Sequence, residues 1–168
     1  LLYAFDVTDP NDPRVMWKRG CPNPTGSAGC EPGYGELGQT WSLPQAVKVR
    51  DIPGPVIFMG AGYDPAANDA LPATAAGMGR GIMAIDPASG AITPILVHKW
   101  SESFKGVNDL HFATNGDLYF TDQGQTGLHD PTGRVYRLRD PGLPSQRLQL
   151  LIGTVPSPNG LVLNNAEN

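Results

Sequence analysis

No apolar run in this chain approaches the roughly 18 residues that a membrane-spanning helix needs. Its opening, "LLYAFDVTDPNDP", has neither a basic leader nor a long apolar segment. No transmembrane segment is expected, and the missing initial Met suggests an excised piece whose export signal, if any, lies outside it. Positive charge is scarce as well: 12 Lys and Arg stand against 16 Asp and Glu, for a formal net charge of −4. The basic residues form no stripe able to neutralise a phosphate backbone, which argues against nucleic acid as a partner. There is no Gly-rich phosphate cradle, no G-x-S-x-G elbow and no Cys-x-x-Cys pair. Amphipathic helical periodicity is also missing.

Cysteine occurs only as Cys21 and Cys30, in "GCPNPTGSAGCEPG". The intervening residues are rich in Gly, Pro, Ser and Asn, and form a loop that a disulfide between the two could close. A metal site would need more Cys or His nearby. The open alternatives are this disulfide, which implies an oxidising compartment, and two free surface thiols.

Glycine and proline are abundant, 21 and 17 of the 168 residues. That composition disfavours long helices and points to a turn-rich, all-β chain with one sizeable core. Short alternating runs predict strands near 2–7, 14–18, 41–50, 55–61, 80–86, 91–97, 108–114, 117–122, 133–139, 147–152 and 160–164. Gly, Pro, Asn and Asp clusters separate them.

One pattern recurs. "LYAFDVTDP", "IMAIDPASG" and "VYRLRDPGL" each place an alternating strand before an Asp-Pro turn, with a further short strand beyond. This is the mark of the third strand in a repeated four-stranded unit, and a period of about 40 to 50 residues is that of β-propeller blades. The strands near 41, 55, 80 and 91 make one blade, and those near 108, 117, 133 and 147 the next. The first two strands finish an earlier blade and "NGLVL" opens a later one. The fold class is thus a partial β-propeller, two complete blades with flanking partial ones. Such a set does not close a ring of four to eight, so the chain reads as a fragment, or as a protomer whose open blade edges are covered in a homo-oligomer.

Two resemblances follow from the motifs. "LYAFDVTDPNDPRVMWKRGC", "GYGELGQTWSLPQAVKV", "PVIFMGAGYDPAANDA" and "MGRGIMAIDPASGAI", over residues 1 to about 92, resemble the C-terminal propeller of the PilC/PilY type IV pilus biogenesis and adhesion factors. "FKGVNDLHFATNGDLYFTDQGQTGLHDPTGRVYRL" and "VPSPNGLVL", over about 94 to 168, resemble the gluconolactonase, regucalcin and senescence-marker-protein group of metal-dependent lactone hydrolases. The join falls near "IDPASGAITPIL", giving segments 1–93 and 94–168 of one continuous architecture.

The second resemblance implies a central metal site to which the Asn of "NDL" and the Asn of "PNG" belong, here Asn108 and Asn159. Both begin an innermost strand, one blade apart, beside the channel. Amide oxygens are neutral, hard ligands suited to calcium or another divalent cation. A cation so held would polarise a lactone carbonyl. Asp109 is expected beside the substrate, capping the turn or orienting its neighbour. The catalytic acidic residue that the resemblance implies is expected from a missing blade.

Other polar residues read as structural. Glu36 falls in a loop before a strand. Asp122, Gln123, Gln125, His129 and Asp130 gather at the blade mouth or its outer turn, with His129 a solvated residue able to carry a proton. His98 and His111 have no ligand neighbours. Asp64, Asn68 and Asp69 lack the pattern of an EF-hand. The readings that follow are a lactone hydrolase with an incomplete site, a non-enzymatic pilus or adhesion propeller binding pilus components at a periplasmic or cell-surface location, and a fragment without independent function.

Overall fold

The computed structural model describes residues 1–23, 27–70, 77–124, 126–164 and 166. Among them, strands form four antiparallel sheets. β1 (Leu2–Asp6) and β2 (Arg14–Arg19) make a hairpin. β3 (Gln45–Lys48), β4 (Pro55–Gly60), β5 (Ile82–Ile85) and β6 (Ile92–Leu96) form a four-stranded meander. β7 (His98–Lys99) and β8 (Glu102–Ser103) make a short hairpin. β9 (Val107–Phe112), β10 (Leu118–Asp122), β11 (Gly133–Arg139) and β12 (Arg147–Val155) form a second meander. The helical content is one 3-10 turn at Tyr34–Glu36 and the single turn α1 (Pro65–Asn68). Among the described residues no helix is long and apolar enough to cross a membrane.

These are the two blades expected, with the β1–β2 hairpin as the outer part of a third. Alternation along each strand explains how they stack, because successive side chains leave opposite faces of a sheet. In the first blade Phe58 and Ile82 point into a core shared with Phe104, Val107, Leu110, Leu118, Phe120, Tyr136 and Leu138 of the second. Met59, Met83 and Ile85 point the other way, against Tyr34, Leu2, Trp17 and both cysteines. The first blade is therefore sandwiched between the hairpin and the second blade.

Two of the three repeated Asp turns are capped alike, while Asp140, in the third, accepts from Arg50 and Ser145 instead. Asp86 Oδ1 accepts from Ala88 N, Ser89 N and Ser89 Oγ, and these bonds hold its pKa below the ordinary carboxylate value. At the corresponding position after β1, Asp6 Oδ1 accepts from Thr8 N and Oγ1. Trp17 Nε1 and Tyr34 Oη donate to Pro87 O and Gly90 O, tying the hairpin and its loop to the Asp86 turn.

Three expectations need correction. Residues 160–164 form no strand, because a strand is defined by its ladder and no described segment pairs with them. The β7–β8 hairpin appears where no strand is predicted. Its turn uses Trp100 at φ 55°, a left-handed conformation rare for a bulky residue, so the usual Gly or Asn marker is absent. β3 is also shorter than its alternating run, since Pro44 has no N–H for a ladder. Upstream of it, Ser42 Oγ accepts from Gly60 N at 2.9 Å instead.

Where the blades meet, their backbones touch. A Cβ on Gly60 would stand 2.5 Å from Val107 O. Two residues on, Gly62 N donates to that same carbonyl at 3.1 Å. Gly62 has φ 86°, and a Cβ there would run into Gln39 O. The glycines of "GAGYDP" thus form the seam that sets the first blade against the start of β9.

Candidate functional site

The site grows from the end of β10. A bulge between Phe120 and Asp122 shifts the register with β9, so that Asp122 pairs with Val107. The Asp122 side chain is fully buried. Its Oδ1 accepts from Lys105 N at 2.7 Å and Gly106 N at 2.8 Å, and Gln123 N returns a bond to Gly106 O at 3.0 Å. The chain entering β9 is thereby clamped immediately before Asn108. Burial pushes the Asp122 carboxyl up to about 6, against the opposing pull of those two N–H groups and of the nearby Arg134 and Lys105. Its Oδ2 has no hydrogen-bond partner among the described residues.

Thr121, one residue earlier, is buried and bonds in two directions. Its Oγ1 accepts from Asp109 N at 3.1 Å and donates to Asn159 O at 3.0 Å. Asp109 completes the docking of that segment: Oδ1 accepts from Leu110 N at 3.0 Å and Oδ2 from Leu161 N at 2.7 Å. Both oxygens of Asp109 thus serve backbone N–H groups, which is the geometry of the capping and orienting role.

The outcome is that Asn108 and Asn159, 51 residues apart in sequence, touch. Asn108 Nδ2 donates to Asn159 Oδ1 at 2.9 Å and to Gln123 Oε1 at 2.8 Å. Three carboxamides from three chain segments converge on one point. Beside them lies an open depression of about 290 Å³, lined by Trp41, Gly62 and Tyr63 of the first blade and Asn108, Gln123 and Gly124 of the second. Trp41 is 74% exposed, and the Tyr63 hydroxyl bonds to Asp69 Oδ1.

Among the described residues no three His, Cys, Asp or Glu side chains cluster as a metal site. The donors present are neutral amide oxygens, which fit a hard cation such as Ca²⁺ as part of a larger oxygen shell. They suit thiophilic or imidazole-seeking metals poorly.

The remaining predicted residues lie elsewhere. Glu36 makes a half-buried bidentate pair with Arg80, its Oε1 2.8 Å from Nη2, and so is committed within the first blade. Asp64 is buried and caps α1, accepting from Ala66 N and Ala67 N, and closes the loop by accepting from Gly77 N at 2.7 Å. His129 is exposed in the turn closed by the Gly127–Asp130 bridge, His98 is exposed in β7, and His111 is half-buried in β9. Gln125 and the side chain of Asn68 lie outside the described residues. Cys21 and Cys30 form a disulfide, packed against the far face of the first blade. Thr121, Trp41 and Tyr63 escape the sequence reading because nothing local marks a threonine within a strand, or an aromatic in a loop, as facing a site.

Residues 36–168 match the family described as SMP-30/Gluconolactonase/LRE-like region. A gluconolactonase from Zymomonas mobilis subsp. mobilis is 32% identical over 96 residues, covering 52% of this chain and 26% of that protein. The match thus spans about a quarter of that relative's length. The family match begins at residue 36 and takes in much of the segment assigned by resemblance to pilus factors. Neither comparison carries that resemblance.

Proposed function

The chain belongs to the SMP-30/gluconolactonase/LRE-like family, and on that premise we propose that it carries the amide half of a metal-assisted lactone-hydrolysing site. The observation that supports this reading is the direct contact of Asn108 with Asn159. Two residues from separate chain segments meet through their side chains, and Asn108 lines an open depression.

A divalent cation held by these amides would polarise the carbonyl of a lactone and stabilise the negative charge that develops on its oxygen. The residues of the chain would hold and position that cation. Asn108 and Asn159 would bind it through Oδ1. Thr121 and Asp109 fix the 159–161 segment against β9, so the two amides need no rearrangement of backbone to act together. Asp122 fixes the turn before Asn108. Trp41 and Tyr63 form an apolar wall on which the ring of the substrate can lie, excluding water from one of its faces. In this reading Asp109 is a positioning residue, since both of its oxygens are already engaged by backbone N–H groups.

Calorimetric titration with Ca²⁺ of the chain and of the Asn108→Ala and Asn159→Ala variants tests the proposal. Neutral ligands give weak binding, with a dissociation constant on the order of 10⁻⁴ to 10⁻³ M. Both substitutions should abolish it. A folded chain that takes up no Ca²⁺, or variants that bind as well as the parent, would rule the site out.

A further inference from the structure

Asn108 Nδ2 lies between two oxygens, Gln123 Oε1 at 2.8 Å and Asn159 Oδ1 at 2.9 Å. A terminal carboxamide torsion is broad and roughly two-fold, so a half-turn of the Asn108 amide puts Oδ1 where Nδ2 stands. Three oxygens would then face one another, an arrangement that repels itself unless a cation lies among them. We propose that Gln123 is a third amide ligand of the cation site, and that the Asn108 carboxamide alternates between bridging the two oxygens and joining them around the metal. This rests on the functional reading above and extends it by one residue.

Gln123 suits the role by position as well as by chemistry. It follows directly on Asp122, whose clamp on Lys105 N and Gly106 N ties the end of β10 to the start of β9. Its own N–H is fixed on Gly106 O. With the backbone held at that point, the side chain stands beside Asn108 at the same open depression, so a cation entering there meets the Asn108 and Gln123 amides, with Asn159 Oδ1 2.9 Å from Asn108 Nδ2. The two hydrogen bonds of the metal-free arrangement must break on binding, which lowers affinity. Ca²⁺ is favoured over Mg²⁺, because three long-armed amides on three chain segments adapt to a loose shell of six to eight oxygens more readily than to a small octahedron.

The test uses Ca²⁺ alone as the probe, in calorimetric titrations of the full chain and of Gln123→Glu, Gln123→Leu and Asn159→Ala, with each variant's thermal melt recorded. Affinity rises with ligand charge, so Gln123→Glu should bind at least tenfold more tightly than the parent and Gln123→Leu at least tenfold more weakly. Gln123→Glu is decisive. It retains an acceptor for the Asn108 amide, so it stays informative even if the Leu variant fails to fold, and a purely structural role for Gln123 would not tighten binding. Parent-like affinity in Gln123→Glu, with binding still lost in Asn159→Ala, would overturn the role of Gln123 and leave the two-asparagine site standing. No binding by the folded parent would overturn both.

Discussion

Replacing Asp122 by Asn removes a buried charge while keeping the carbonyl oxygen that Lys105 N and Gly106 N use. The carboxyl moves from 3.8 to about 6 on folding because its burial outweighs the two backbone bonds and the pull of Lys105 and Arg134. Arg134 is itself paired with Glu102 and donates to the Tyr136 hydroxyl, which spreads its charge away from Asp122. A rise of about 2 units corresponds to about 3 kcal/mol at about 1.4 kcal/mol per unit. The sign follows from proton uptake. Between pH 4 and 6 the folded state holds a proton that the unfolded state has lost, so stability falls as pH rises through this window. The contribution is fully present below pH 4 and absent above pH 7. Urea unfolding followed by tryptophan fluorescence, in chelator-containing buffers from pH 4.5 to 7.5, measures it. The stability of Asp122→Asn minus that of the parent should climb by about 2 kcal/mol across this range, the remainder of the effect falling below pH 4.5. Asp86 and Glu102, whose values are lowered by hydrogen bonds, titrate alike in both proteins and cancel. Parallel curves for parent and variant would refute the reasoning, showing that Asp122 does not titrate as a desolvated carboxyl.

Three other changes probe separate parts of the molecule. Gly60→Ala places a methyl 2.5 Å from Val107 O at the blade seam, and overpacking of this kind should cost about 1–3 kcal/mol in chemical unfolding. Reducing the Cys21–Cys30 bond, which closes a loop of sequence separation 9, should cost about 2–3 kcal/mol on the chain-entropy account, seen as a lower melting temperature in reductant. Trp41→Ala, at a mostly exposed position, should leave the stability within about 0.5 kcal/mol of the parent and weaken the binding of a lactone to the depression. Lactone binding unchanged in the variant would remove Trp41 from the proposed wall.

The blades are legible in the sequence because two signals coincide in each. Alternation marks the strands, and an Asp at the end of the third strand marks the corner, as the three bonds to Asp86 Oδ1 make plain. The β7–β8 hairpin stays hidden since its turn residue is Trp100, and no local rule assigns a left-handed backbone to tryptophan. The site is legible only in part. Motif resemblance singles out Asn108 and Asn159, but their contact depends on Thr121 and Asp109 docking a segment 38 to 52 residues away. Gln123 stands at the blade mouth in the sequence reading, yet its aim is set by the bulge between Phe120 and Asp122. A one-residue shift of this kind turns side chains to a different face and leaves no mark in composition.

Comparing the two blades at matched positions shows why the chemistry gathers on one of them. Phe58 pairs with Gln45 in the first blade as Phe120 pairs with Leu110 in the second. Two residues before those partners stand Leu43 and Asn108. Two and three residues beyond the phenylalanines stand Gly60 and Ala61 in the first blade, Asp122 and Gln123 in the second. Asn108, Asp122 and Gln123 therefore each have an apolar or side-chain-free counterpart one blade earlier. Gly60 cannot be an Asp, because a Cβ there would stand 2.5 Å from Val107 O; the seam that brings the blades together needs that position bare. Leu43 is exposed, which no core packing demands, so the absence of an amide there is not imposed by the fold. The first blade gives the depression its wall through Trp41 and Tyr63, and the second gives it the amides of Asn108 and Gln123. Both blades share one strand scaffold, and the division of labour resides in the few residues at the strand ends that open to the mouth.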